Sequence, residues 1–345
     1  MPNASYDALL IQSFGGPEGP DDVIPFLENV LRGRNVPRER LLQVAEHYQS
    51  FGGVSPINQQ CRDLIAALTE ELRENGIDLP IYWGNRNWHP MLDDTFRQMK
   101  ADGVSRALSF VTSAYSSYSG CRQYREDVIK FGAAADATDI QVDKIRVFYN
   151  HPDFIQVVSE CVAEAISALA GSAPPFIAFT AHSIPDAMSA GCDYEQQLSE
   201  SCRLVAERLD VPDDRWALVY QSRSGRPQDP WLEPDICDFI ETLAAQNVDA
   251  VVVSPIGFIS DHMEVLFDLD TEAKQVCERL NISMERAATP GIRPMFVSMI
   301  RKLIEERLGR SEPEAVGRYP ANHDVCPEGC CLLGEVAGRP MRPKA

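Results

Sequence analysis

The sequence predicts an α/β protein made of two doubly wound domains, each a parallel sheet flanked by helices. Three observations predict it. Short apolar runs alternate with longer segments of helical periodicity through both halves of the 345-residue chain. A Gly- and Pro-rich break, Gly171-Ser172-Ala173-Pro174-Pro175, lies between the halves. Two apolar runs of the second half end in imidazole or carboxylate groups, and open α/β sheets place their ligand crevice at such strand tips. The expected division is 1–150, 151–310 and an irregular Cys-rich extension over 311–345.

The elements follow in order. YDALLIQSF over 6–14 is the first strand, turned by Gly15-Gly16-Pro17. Asp21 and Asp22 open a helix reaching residue 31, because carboxylates favour the positive end of the helix dipole. A second helix covers 38–50. Ser55 is expected to N-cap a third, with Pro56 at its first position and Gly76 as its stop. Then come a strand over 80–84, a helix over 91–100, a strand over 106–111, a polar aromatic loop over 112–120 and a helix over 122–131. A strand over 144–149 and a helix over 153–169 complete the half. The second half has strands over 176–181, 216–221 and 249–255, with helices over 194–209, 235–246, 267–280 and 295–308.

Composition narrows the function. Hydrophobic residues make up 44% and charged residues 24%, as in ordinary globular domains. A formal net charge of −19 argues against non-specific binding to nucleic acid or anionic lipid. The first residues show neither a charged n-region nor an apolar h-region, and no run approaches a membrane span. A cytoplasmic protein without a transmembrane segment is expected. No GxxxxGK[ST] loop occurs, and no GxGxxG follows the first strand, so familiar nucleotide-dependent chemistries are unsupported.

The chemistry gathers at two strand tips. The run Pro175-Phe176-Ile177-Ala178-Phe179-Thr180-Ala181-His182 ends in an imidazole, the usual near-neutral base; a buried histidine bonded to backbone is the plainer alternative. The run ending Val253-Ser254-Pro255 leads to Glu264, Asp268 and Glu272, four residues apart and on one helical face. A solvated acidic face would explain that spacing. A row rising from a half-buried strand tip would instead suit cation passage or proton relay. Imidazole with carboxylate is compatible with ferrous iron.

These residues resemble the ferrochelatase family. Ala181-His182-Ser183-Ile184-Pro185 is similar to its histidine segment, and Ser254-Pro255-Ile256-Gly257-Phe258 through Glu264 to Glu272 is similar to its glutamate segment. Gln221-Ser222-Arg223-Ser224-Gly225 and Pro230-Trp231-Leu232-Glu233-Pro234-Asp235 resemble the loop between them. Ser13-Phe14-Gly15-Gly16-Pro17, Gly52-Gly53-Val54-Ser55-Pro56 and the loop from Tyr115 to Tyr124 fit as well, so the likeness spans about residues 6–308. It implies two Rossmann-like, chelatase-like domains with a porphyrin cleft between them, and insertion of ferrous iron into a porphyrin. His182 would then take a pyrrole proton or ligate iron transiently, and Glu264 would face it across the cleft. Asp268 and Glu272 would extend the path to solvent. Phe14, Arg34, His47, Tyr48, Ser55 and Tyr124 would line the porphyrin site; core packing is the alternative for Tyr124, and capping for Ser55. Some bacterial members carry an iron-ligating tyrosine where this chain has Phe14, which has no donor atom. The polar segment from Gly16 to Arg34 favours coproporphyrin III over protoporphyrin IX. A haem or iron carrier without turnover is the alternative of another class.

The tail carries Cys326-Pro327-Glu328-Gly329-Cys330-Cys331. An iron–sulfur cluster, zinc, or unliganded thiols all fit this spacing. The resemblance implies a [2Fe–2S] cluster held by Cys326, Cys330, Cys331 and an internal cysteine. Cys161 is the expected fourth ligand, with Cys121 and Cys192 in reserve.

Overall fold

The computed structural model describes residues 5–33, 36–169, 174–226 and 228–334. Two four-stranded sheets organise it, and both are wholly parallel. The first runs β2-β1-β3-β4, with β1 Ala8–Ser13, β2 Ile81–Asn85, β3 Arg106–Val111 and β4 Gln141–Lys144. The second repeats that order as β6-β5-β7-β8, with β5 Phe176–His182, β6 Trp216–Gln221, β7 Ala250–Ser254 and β8 Ser283–Arg286. In each sheet the chain steps to one side of its first strand, then returns to the other. The crevice for a ligand therefore opens beyond the tips of β1 and β3 and beyond those of β5 and β7.

Helices fill the connections: α1 Val23–Val30, α2 Arg38–Ser50, α3 Ile57–Glu74, α4 Leu92–Ala101, α5 Gln123–Ala134 and α6 Pro152–Ala168 in the first part. Then come α7 Asp186–Ser189, α8 Tyr194–Arg208, α9 Ile236–Ala245, α10 Met263–Phe267, α11 Lys274–Leu280 and α12 Pro294–Arg307. The central strands are apolar runs because helices cover both their faces; every residue of β1 is buried. Among the described residues no helix is long and apolar enough to cross a membrane.

The edge strands depart from expectation. Residues 145–149 pair with no strand; Ile145, Val147, Phe148 and Tyr149 are buried in the core, and the paired strand is the more polar Gln141–Lys144 just before them. No apolar run predicts β8, its counterpart in the second sheet. Both edges are four residues long and partly exposed, so they lack the apolar signature of a buried strand. Ser55 does not cap α3: the helix starts at Ile57 behind Pro56, with no side-chain capping bond.

The last helix closes the molecule on itself. α12 packs against α3 and α6. Arg301 Nε reaches Glu71 at 2.7 Å, and Arg307 Nη2 donates to the Tyr6 hydroxyl at 3.0 Å. Arg146, whose side chain is 1% exposed, grips Glu306 through two bonds of 2.8 and 2.9 Å and also donates to the Glu314 carbonyl. Beyond α12 the tail runs without regular structure as far as residue 334, tied by Asn150 Nδ2 to the Tyr319 carbonyl at 2.9 Å and by the Arg318 amide to Glu200 at 2.6 Å. Breaking a buried pair strands the surviving charge. Arg146→Met is therefore expected to lose about 3–5 kcal/mol of stability, measured by urea denaturation. A loss under about 1 kcal/mol would mean that water reaches Glu306.

Candidate active site

The site is built from the tips of β5, β6 and β7. His182 is the last residue of β5. Its Nδ1 lies 2.5 Å from the Ser183 carbonyl, which can only accept, so Nδ1 carries the proton and Nε2 keeps the basic lone pair. The Tyr194 hydroxyl holds the His182 carbonyl at 3.1 Å. After β7 the chain crosses over β5, and Gly257 makes the crossing possible: a Cβ there would sit 2.8 Å from the Ala181 Cα. The crossing delivers Glu264 to His182, with Oε2 3.7 Å from Nε2. The two stand side by side on one wall, not across the cleft as expected, because both descend from neighbouring strands of one sheet. Their side chains stay 32% and 49% exposed.

The helix carrying the acid row is one continuous run with a π-helical turn over Asp268–Ala273 between α10 and α11. It begins earlier than expected. His262 accepts the Glu264 amide at 3.2 Å through Nδ1 and so caps it. In an α-helix, residues four apart drift around the axis; the wider π turn that begins at Asp268 rotates back that drift and brings Glu272 toward the direction of Glu264. Asp268 is mostly buried. Burial, followed by the charges of Glu264 and Glu272, raises its carboxyl to about 7, against hydrogen bonds from Ser222 and Gln221. Gln221 Nε2 donates to Asp268 at 3.3 Å, and the Ser222 hydroxyl also bonds that carboxylate. Glu272 is likewise raised by burial, then by Asp235. Burial lowers His262. Sequence reasoning quoted Gln221 and Ser222 without a role; they hold Asp268 from the tip of β6.

The first half supplies the facing surface. His47 on α2 stacks on Phe267 with ring centres 3.8 Å apart. Next to it, Tyr48 is held protonated by burial and then by the charges of Glu264 and Asp268. Phe14 follows β1, lies 36% exposed and meets Phe26 edge-on at 6.2 Å. Ser55 is drawn against the first loop by Gly16, where a Cβ would come within 2.6 Å of the Ser55 Cβ. Tyr124 is buried beneath the Arg86 guanidinium, 4.0 Å from its ring centre, and Arg86 pairs with Asp127 at 2.5 Å. Arg86, at the tip of β2, was not picked out from the sequence. Arg34 lies outside the described residues.

The cysteines divide differently from expectation. Cys161 is buried on α6, where Arg293, Glu164 and Glu160 act on its thiol and no tail cysteine does. Cys121, in a π-helical turn over Tyr118–Arg122, acts on the Cys326 thiol instead: it and then burial raise that thiol. The Cys330 and Cys331 sulfurs lie 3.4 Å apart, with His323 Nε2 3.9 Å from Cys330. His323, Cys326 and Cys330 could share one metal ion. Arg122 Nη1 fixes the knuckle by donating to the Glu328 and Cys330 carbonyls at 2.8 and 3.0 Å. Cys192 instead bonds the Met188 carbonyl at 3.3 Å.

The raised Asp268 carboxyl has a stability consequence. The folded state keeps this proton to about pH 7, whereas the unfolded chain releases it near 3.8. Folded protein thus binds more protons, so this group costs stability progressively as pH rises from 4 through 7. Asp268→Asn should gain stability relative to the parent at pH 8 and much less at pH 4, measured by denaturation midpoints. An equal gain at both pH values would mean that Asp268 titrates normally.

The family model described as Ferrochelatase matches residues 6–308. The Ferrochelatase of Rhodopirellula baltica is 57% identical over 345 residues, covering 98% of each chain. The Coproporphyrin III ferrochelatase of Streptomyces coelicolor is 49% identical, covering 94% of this chain and 93% of its own. Among solved structures, SirB from Bacillus subtilis with Fe3+ superposes with a TM-score of 0.53 at 11% identity, over 89% of this chain and 98% of that one, a likeness of fold alone. A match over nearly the whole chain, at this identity, places the protein in the ferrochelatase family.

Proposed function

We propose that this chain is a cytoplasmic enzyme that inserts ferrous iron into coproporphyrin III, giving Fe-coproporphyrin III for haem biosynthesis. The observation that carries the reading is the free lone pair of His182 Nε2 beside Glu264 at 3.7 Å, at a strand tip still open to solvent. The Streptomyces coelicolor relative supports the choice of porphyrin, as does the polar segment containing Glu18, Asp21 and Asp22. Within this reading the chain divides into 1–150, 151–310 and a tail over 311–345.

The chemistry balances on these groups. Four nitrogen–iron bonds form, and two pyrrole protons must leave. His182 Nε2 takes the first proton and passes it to the Glu264 carboxylate, and the neutral imidazole so regenerated takes the second, which leaves by the same route. Glu264 also offers an oxygen to the incoming iron. Asp268, half-protonated near neutral pH, relays the proton to Glu272 and out to solvent. Phe14, His47 and Tyr48 line the porphyrin, whereas Tyr124 is packed in the core under the Arg86 guanidinium. The ring of Phe14 packs on the macrocycle and cannot ligate iron. Ser55 makes no capping bond, but its side chain is buried against the first loop.

The tail cysteines suit a [2Fe–2S] cluster, with Cys121 replacing Cys161 as fourth ligand beside Cys326, Cys330 and Cys331. Supporting this are the contact between Cys121 and Cys326, the adjacent sulfurs of Cys330 and Cys331, and the Arg122 clamp. When bound, such a cluster supplies a one-electron couple and iron–sulfur bonds tying the tail to the π turn. No step of iron insertion needs it.

His182→Ala should lower insertion by at least about 100-fold while coproporphyrin III still quenches the intrinsic fluorescence. Wild-type turnover in that variant would remove His182 from the mechanism. Anaerobic assays with ferrous iron should give a higher kcat/KM for coproporphyrin III than for protoporphyrin IX. Equal values would overturn the substrate choice, and binding without insertion would make the protein a carrier. Cys121→Ser should bleach the visible spectrum of the purified protein, and Cys161→Ser should leave it. The opposite result would restore Cys161, and a colourless, zinc-containing parent would overturn the cluster.

A further inference from the structure

We propose that Arg286 is a positioning residue for iron insertion: its guanidinium fixes the rotational phase of the helix that carries Glu264, Asp268 and Glu272. This rests on the assignment of those carboxylates to iron and proton handling.

Arg286 ends β8, the edge strand that no apolar run announced. Its side chain is 17% exposed and serves two carboxylates at once. Nη1 and Nη2 donate to the two oxygens of Asp261, each at 3.2 Å, and Nε donates to Asp270 Oδ1 at 2.7 Å. These partners flank the reacting groups. Asp261 immediately precedes His262, the residue that caps the helix at Glu264. Asp270 sits inside the π turn, between Asp268 and Glu272. Asp261 is further held by the Thr289 hydroxyl at 3.1 Å, and its amide donates to Gln60 Oε1 at 2.8 Å.

A π turn is the part of a helix whose placement the backbone specifies least, because shifting it by one residue re-aims every side chain beyond it. Here the stretch from Asp261 to Glu272 contains Asp261, Glu264, Asp268, Asp270 and Glu272. Their mutual repulsion favours splaying. The ion pairs that the described residues form between this stretch and an arginine both run to Arg286. They share one positive charge between the two carboxylates that the proposed chemistry does not use, and leave the other three without an arginine ion pair among the described residues. A guanidinium suits this duty because its planar fork fixes direction as well as charge; an ammonium fixes charge alone.

Steady-state iron insertion into coproporphyrin III tests the proposal in Arg286→Met and Arg286→Lys, with Glu264→Gln alongside and thermal midpoints recorded. Arg286→Met should lose about 10- to 100-fold in kcat, the scale of a misplaced reacting group. Its porphyrin KM should stay within about twofold of the parent, since the lost contact binds no substrate. Arg286→Lys should recover part of the lost kcat. A wild-type kcat in Arg286→Met, whatever its thermal midpoint, overturns the proposal, as does a loss confined to porphyrin KM. If the methionine variant fails to fold, Asp270→Asn removes one arm of the clamp and is read in the same way. Should Glu264→Gln retain the parental kcat, the assignment of the site falls and this inference with it. Should Glu264→Gln be inactive while Arg286→Met is unaffected, the positioning role alone is refuted.

Discussion

The site depends on strand order. In a parallel sheet whose first strand lies inside the order, the connections leave its tip in opposite directions and cannot cover it. β5 is that strand in the second sheet, with β6 on one side and β7 on the other. His182 at its tip is therefore exposed to whatever the loop after β7 delivers, and that loop delivers Glu264. The β6 tip supplies Gln221 and Ser222 to hold Asp268 from behind. The first sheet repeats the order, and Phe14 stands just beyond β1 in the equivalent place. Helix α2 then lays His47 and Tyr48 against the acid row.

Collecting carboxylates at that crevice works against folding. Two unit charges 4 Å apart repel by about 4 kcal/mol at an effective dielectric of 20. A marginally stable domain cannot absorb many such pairs unrelieved. The structure relieves them by several routes. Asp268 holds its proton to about pH 7, which removes one charge at mildly acidic pH. Asp261 and Asp270 share the positive charge of Arg286, which offsets half of theirs. Glu264 stays half exposed, so water screens it. What survives is an acid row whose middle member, Asp268, is mostly buried between two exposed ends, Glu264 and Glu272.

The sequence was legible wherever an apolar run met a reactive residue. β5 with His182 and β7 with Glu264 could be read because burial on both faces makes a strand conspicuous. β4 and β8 could not, since short, partly polar edges carry little periodic signal, and with β8 went Arg286. The π turns left no trace in residue type, yet one aligns the acids and the other presents Cys121. Position along the chain favoured Cys161, but a helix buries one face, and its thiol lies in the core, raised by burial with Arg293 and Glu164 beside it. The side-by-side stance of His182 and Glu264 follows from strand adjacency, which spacing along a chain does not encode.

The return of α12 to α3 bears on how the chain is made. Phe296, Ile300, Leu303 and Ile304 belong to the same core as Leu64, Leu68 and Leu72, residues separated from them by more than half the sequence. As the polypeptide leaves the ribosome, the early sheet can assemble while one flank of α3 stays bare to water and to chaperones. That flank is covered only when α12 emerges, so a chain cut short before Pro294 would expose apolar surface on the part of the molecule synthesised first.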